Sequence, residues 1–219
     1  IKIGSNANVV LELDGTNSIT VNTKSYDAAK AGINVAEGTL TITGGEDDSL
    51  DVKVIDNGYP SDGADNADDA DSAAIGSDEG KKFNGTIIIE GGNITAVSEY
   101  GAGIGSGYNG EMSGTGTITI SGGTVIATGE GDGAGIGSGD DGKMSGTITI
   151  SGGEVTASSD DDGAGIGSGY DGEMSGTITI SGGKVTASSD DDGAGIGSGW
   201  YGEMSGTGTI TISGGKVTA

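Results

Sequence analysis

Cysteine, histidine and arginine are all absent from the 219 residues of this chain, and proline occurs only once. Without cysteine there can be no disulfides, no thiolate metal ligands and no cysteine nucleophile. Without histidine the chain lacks the side chain that most often serves as a general base and as a zinc ligand. Any chemistry must therefore rest on carboxylates, hydroxyls, lysines and the few aromatic rings.

Positive charge is also scarce. Nine lysines stand against 33 acidic residues, which gives a net charge of −24 at pH 7. Nucleic-acid backbones and anionic membrane surfaces are held by clusters of lysine and arginine, so we expect neither as a partner. A chain this acidic is expected to attract cations, divalent ones in particular.

Long apolar runs are missing as well. No segment approaches the roughly 20 apolar residues of a membrane-spanning helix, and no signal-peptide pattern is present. The chain starts at Ile1 and stops on a strand-like KVTA at Ala219. We therefore interpret it as a monomeric fragment of a longer exported protein, with the export signal and any surface anchor outside it.

Glycine is abundant, and it recurs at regular intervals. The segment GAGIGSG begins at Gly101, Gly133, Gly163 and Gly193, in steps of 30 or 32 residues. Each copy is followed by a TITI strand pattern, a Ser-Gly-Gly and a second short strand pattern. A fixed period of about 30 residues predicts a solenoid, in which each unit buries its apolar face against its neighbours.

Each unit divides into three short sides separated by corners. The isoleucines of TITI alternate with threonines and are predicted to point inward. The valine and alanine of the second strand and the isoleucine of GAGIGSG supply the other two inward sides. The sequence thus predicts an all-β parallel β-helix with coils of about 30 residues, stacked about 4.8 Å apart.

A single solenoid domain is predicted over residues 1–219. Residues 1–45 are degenerate coils, residues 72–219 are regular repeats, and residues 46–71 are interpreted as an insertion. The insertion contains a strand-like segment at 50–55 and an acidic loop at 59–71. The acidic stretch 62–73 is not an EF-hand, because its sixth and twelfth positions are Ala67 and Ala73.

The sequence AGINVAEGTLTITGG (31–45), followed by tandem GAGIGSG and GTITISGG units, resembles the β-strand repeats of large surface proteins of Gram-positive bacteria. The resemblance covers nearly all of the chain apart from 46–71. It implies a right-handed β-helix, a cell-surface location and a carbohydrate-binding or adhesin-like role. Related β-helices include pectin lyases, but no lyase motif is visible here.

The corners between the second and third sides are candidate calcium sites. Hard oxygen ligands one coil apart suit Ca²⁺, which is the cofactor that we expect if the chain binds one. The alternative is a solvated acidic edge that keeps the rod soluble. The candidate ligands are Asp160, Asp161, Asp162, Asp190, Asp191 and Asp192.

Aromatic residues follow three of the four GAGIGSG segments, and the fourth is followed by Asp140. We expect Tyr170 and Trp200, one coil apart, to form a flat exposed pair suited to the apolar face of a sugar. The alternative is that the rings only cover a corner. The candidate ligand-binding residues are Tyr108, Tyr170, Trp200 and Tyr201.

These features favour a non-enzymatic extracellular module that binds glycans or polysaccharides. No catalytic residue stands out, because the acidic residues recur with the repeat. The alternatives are a polysaccharide lyase or hydrolase, a structural stalk, and an ice-binding face formed by the outward threonines of the TITI strands.

Overall fold

The computed structural model describes residues 1–23, 30–56 and 72–219. The described chain winds through three parallel sheets, and six coils contribute one strand to each sheet while a seventh contributes to two.

Sheet 1 contains β1 Asn8–Glu12, β4 Thr39–Thr43, β7 Thr86–Ile89, β11 Thr117–Ile120, β15 Thr147–Ile150, β18 Thr177–Ile180 and β21 Thr209–Ile212. Sheet 2 contains β2 Thr16–Thr23, β5 Ser49–Asp56, β8 Asn93–Ser98, β12 Thr124–Gly129, β16 Glu154–Ser159, β19 Lys184–Ser189 and β22 Lys216–Thr218. Sheet 3 contains β3 Ile33–Asn34, β6 Ile75–Gly76, β9 Ile104–Gly105, β13 Ile136–Gly137, β17 Ile166–Gly167 and β20 Ile196–Gly197. A short pair, β10 Glu111–Met112 and β14 Lys143–Met144, lies at the corner between sheets 3 and 1.

Every strand lies over its counterpart one coil away. Ile148, for example, pairs in parallel with Ile118 on one side and with Ile178 on the other. No helix occurs in the described ranges, so none there is long and apolar enough to cross a membrane. The prediction of an all-β parallel β-helix is confirmed.

Apolar side chains from the three sheets meet along the axis of the coils. The inward columns are almost fully buried: Leu40, Ile87, Ile118, Ile148 and Ile178 in sheet 1, Leu50, Ile94, Val125, Val155 and Val185 in sheet 2, and Ile33, Ile75, Ile104, Ile136 and Ile166 in sheet 3. Burying each such side chain contributes about 1.5–3 kcal/mol. Because every coil presents the same column positions, the core is continuous through the stack.

The glycine that ends every strand of sheet 3 except β3, which ends at Asn34, lets neighbouring coils approach closely. Its φ lies between 141° and 154° at Gly76, Gly105, Gly137, Gly167 and Gly197, a region essentially reserved for glycine. A Cβ atom on Gly137 would lie 1.8 Å from the carbonyl oxygen of Gly167 in the next coil. The repeated glycine is therefore required both by the backbone conformation and by the contact between coils.

Strand β5 falls inside the segment that the sequence predicted to be an insertion. It is an ordinary strand of sheet 2, paired in register with β2 and β8. The insertion prediction is thus wrong for residues 49–56, which the in-register pairing makes part of a regular coil. The acidic loop predicted at 59–71 lies outside the described residues.

Candidate functional site

A tight turn after each GAGIGSG strand carries the aromatic residues. In this turn, the amide of Gly142 donates to the carbonyl oxygen of Gly139 at 3.0 Å. The buried Ser138 hydroxyl braces the same turn by donating to the carbonyl oxygen of Gly142 at 3.0 Å. We call the equivalent turns, residues 107–110, 139–142, 169–172 and 199–202, the aromatic corner.

The acidic corner, residues 130–132, 160–162 and 190–192, lies directly beside the aromatic corner. The amide of Tyr170 donates to the carbonyl oxygen of Asp132 at 2.9 Å, and the amide of Trp200 donates to that of Asp162 at 2.8 Å. Two features that the sequence presented separately therefore form one surface. We call this surface the acidic–aromatic face.

Three aromatic rings cluster at the last described coils of this face. Trp200 and Tyr201 are stacked, with ring centroids 4.3 Å apart and an interplanar angle of 22°. Tyr170 meets Trp200 at 67° and Tyr201 at 86°, with centroid distances of 6.0 and 5.8 Å. Trp200 is 39% exposed and Tyr201 is 63% exposed, so the stacked pair is open to solvent.

The expected flat pair of Tyr170 and Trp200 is wrong. Trp200 stacks on Tyr201 of its own turn instead, and Tyr170 approaches both rings edge-on, an arrangement that aromatic quadrupoles favour. The Tyr170 ring is thus nearly perpendicular to the Tyr201 ring, and the three rings do not form a flat platform.

Tyr201 adopts a backbone conformation that tyrosine rarely takes. Its φ is 55°, whereas the same turn position in the other coils holds Asn109, Asp141 and Asp171 at φ values of 47° to 52°. Asparagine and aspartate tolerate this left-handed region, but a bulky residue there is a genuine outlier. Such strain is on the order of 1–3 kcal/mol and is typically found at functional sites.

The remaining predicted aromatic, Tyr108, lies two coils before Tyr170 in the same corner. Its hydroxyl donates to Oδ2 of Asp141 at 3.3 Å. Asp140 holds the intervening position, so the aromatic column is interrupted by a carboxylate, as the sequence shows.

Among the described residues, the carboxylates that could share a metal ion are those of Asp132, Asp161 and Asp162, whose oxygen atoms lie within 4.8 Å of one another. Two of these were predicted ligands. Asp132 was missed because it follows GEG rather than the repeated SSDD, although it immediately precedes GAGIGSG as Asp162 does. The other predicted ligands, Asp160, Asp190, Asp191 and Asp192, do not join this group.

Burial, followed by the crowding of like charges, raises the pKa of acids on this face. Burial, together with Asp132 and Asp141, raises the pKa of Asp140 to about 7. Burial followed by the charge of Asp161 also raises the pKa of Asp132. Because folded Asp140 binds its proton more tightly than the unfolded chain does, its contribution to stability falls as the pH rises from about 4 to about 7.

Within the described ranges, no lysine forms an ion pair with a carboxylate of the acidic–aromatic face. The ion pairs there are Lys30–Asp78, Lys53–Asp51, Lys82–Glu111, Lys143–Glu173 and Lys184–Glu154, none of which includes a carboxylate of the acidic–aromatic face. Oδ1 of Asp140 is buried and has no hydrogen-bond partner in the described structure. The face therefore combines exposed rings with carboxylates that lack a protein cation.

Comparison with protein families matches five segments of the chain to a family described as Beta helix repeat. The matched residues are 87–108, 118–140, 148–170, 178–200 and 210–219. Each of the first four segments runs from an inward isoleucine of sheet 1 to the first central residue of the aromatic corner. Searches of curated proteins and of solved structures found no match.

Proposed function

Since the chain is a β-helix repeat protein, we propose that it serves as a non-enzymatic module that binds glycans outside the cell. The observation that carries this proposal is the cluster of the half-buried Tyr170 ring with the exposed rings of Trp200 and Tyr201, beside a row of carboxylates. Aromatic rings stack on the apolar face of a sugar, and carboxylates accept hydrogen bonds from its hydroxyls. The strained conformation of Tyr201 supports a role beyond corner packing.

The cell-surface setting is part of the same proposal. It is supported by the resemblance of the repeats to those of Gram-positive surface proteins. A rigid rod that repeats one corner is suited to presenting several weak sites together, so that binding strengthens through multivalency.

Replacing Trp200 by Ala should weaken glycan binding about two- to thirteenfold, because one stacked ring contributes about 0.5–1.5 kcal/mol. Trp200→Tyr should retain most of the affinity, since tyrosine occupies this turn position at Tyr108 and Tyr170. Binding is measured by glycan array and by calorimetry on the selected polysaccharide, alongside thermal melting.

Ile126→Thr is the matched control for that experiment. Ile126 is an exposed apolar residue of sheet 2, 43% accessible, and its partners in the neighbouring coils are Thr95 and Thr156. The substitution should change neither folding nor binding. A Trp200→Ala protein that binds as well as the parent, or a parent that binds no glycan, would contradict the proposal.

Calcium binding at the acidic corner is a second proposal, favoured by the close approach of the Asp132, Asp161 and Asp162 oxygens. Burial, followed by repulsion from neighbouring carboxylates, raises the pKa of Asp132 and Asp161, and an ion there would offset the repulsion. Calcium that binds only the folded chain should stabilise it by about 2.7 kcal/mol at a hundredfold excess over Kd.

The calcium proposal predicts a higher melting temperature in calcium than in chelator. Asp132→Asn combined with Asp161→Asn should abolish that difference, whereas Glu46→Gln combined with Asp47→Asn, which removes two exposed charges elsewhere, should leave it intact. Identical melting curves of the parent protein in calcium and in chelator would refute calcium binding.

A further inference from the structure

The acidic–aromatic face combines ring surfaces with carboxylates. Trp200 and Tyr201 are stacked, and Tyr170 stands at 86° to Tyr201. Because the ring centroids are 4.3 to 6.0 Å apart, a sugar that stacks on one ring brings its substituents near the π-system of another.

Carboxylates lie beside these rings. The charges of Asp171 and Asp132 act on the Tyr170 hydroxyl. Asp171 follows Tyr170 in the same aromatic-corner turn, and Asp132 accepts the Tyr170 amide through its carbonyl oxygen. No lysine in the described part of the chain pairs with these carboxylates, so a cationic ligand would meet no competing protein cation there.

We infer that the glycan bound at this face carries free, protonated amino groups, which makes the ligand an amino-sugar polymer that is not N-acetylated. This inference rests on the proposed glycan-binding function. An ammonium group is attracted to the face of an aromatic ring within about 6 Å and makes charge-assisted hydrogen bonds with carboxylates. A neutral glycan gains only the stacking, and a uronic-acid polymer is repelled by the carboxylates.

The experiment compares two oligosaccharides that differ only in acetylation: a β-1,4-linked glucosamine oligomer and the N-acetylglucosamine oligomer of the same length. Affinities are measured by calorimetry in chelator, at a pH where the amines are protonated. We expect the amine form to bind about tenfold more tightly than the acetylated form. We also expect added salt to reduce this preference, because salt screens exposed charges.

The decisive variant is Asp141→Asn combined with Asp171→Asn, because the amides of these aspartates donate to the carbonyl oxygens of Tyr170 and Trp200 and so place both residues beside the rings. Both positions take the same positive φ that Asn109 takes in another coil, so the fold accepts asparagine there. This variant should lower the affinity for the amine oligomer at least threefold and leave that for the acetylated oligomer unchanged. The control, Glu46→Gln combined with Asp47→Asn, removes the same formal charge from a distant exposed site and should preserve the preference.

Each other outcome overturns the inference. Equal affinity for the two oligomers would leave glycan binding in place and remove the amine requirement. Equal loss of preference in the variant and in the control would show that the amine oligomer is attracted to the net charge of the whole rod and not to the acidic–aromatic face. If neither oligomer binds while another glycan does, the inference alone fails; if no glycan binds at all, the proposed function fails with it.

Discussion

Gly137→Ala should destabilise the protein by on the order of 3–5 kcal/mol, because both the space and the backbone conformation at Gly137 exclude a Cβ atom. The added Cβ would lie 1.8 Å from the Gly167 carbonyl oxygen, a backbone atom that cannot rotate away. The φ of 141° at Gly137 is also unfavourable for alanine, whatever space is provided. Urea unfolding followed by circular dichroism measures the change in the free energy of unfolding.

Substitutions at two other glycines separate the effect of backbone conformation from that of steric contact between coils. Gly80 has a φ of 59°, but no atom lies within 4 Å of the position that an added methyl group would take, so Gly80→Ala should lose only about 1 kcal/mol through backbone strain. Gly4 does not have a positive φ, and no atom lies within 4 Å of the position of an added Cβ. Gly4→Ala should therefore change stability by less than about 0.5 kcal/mol. A Gly137→Ala protein no less stable than Gly80→Ala would show that the coils can separate at little cost.

Ile150→Ala should lower the free energy of unfolding by about 2–5 kcal/mol, because it leaves a cavity in a coil that has a neighbouring coil on each side. Ile212→Ala should cost less than about 1 kcal/mol, because its side chain is already partly in water and leaves little cavity. The two residues occupy the same column and the same TITI sequence, but Ile150 is fully buried whereas Ile212 is 53% exposed.

The comparison of these two variants measures what one neighbouring coil contributes to the burial of an isoleucine. It is made by chemical unfolding of both variants under the same conditions. Similar losses of stability at Ile150 and Ile212 would contradict a core built by the stacking of coils.

The strands and their register could be predicted because the sequence repeats them. Alternation in TITI orients Ile148, and the step of about 30 residues places Ile178 over it, which the structure confirms. The same reasoning failed for residues 49–56, because the first coils have diverged and the long segment after β5 obscured the repeat.

The geometry of the candidate site could not be predicted in the same way. Tyr170 and Asp132 are far apart in the chain and meet because the coil closes on itself between them. The stacking of Trp200 on Tyr201 depends on the φ of 55° at Tyr201, in a turn position that aspartate or asparagine occupies in the other coils. The directions of the side chains at such a corner depend on the backbone conformation of the turn. The repeat pattern therefore does not predict the direction of a residue, such as Tyr201, that differs from its counterparts in the other coils.

The in-register pairing of coils also determines how the rod responds to mechanical tension. The first and seventh coils lie at opposite ends of sheets 1 and 2, so a pull on the two ends loads the backbone hydrogen bonds between coils. A terminal coil is held by one neighbour only and yields first, releasing about 30 residues, or roughly 100 Å of extended chain. Tension would then unwind the rod coil by coil, and a module tethered between two bodies would lengthen in steps while its remaining coils kept their shape.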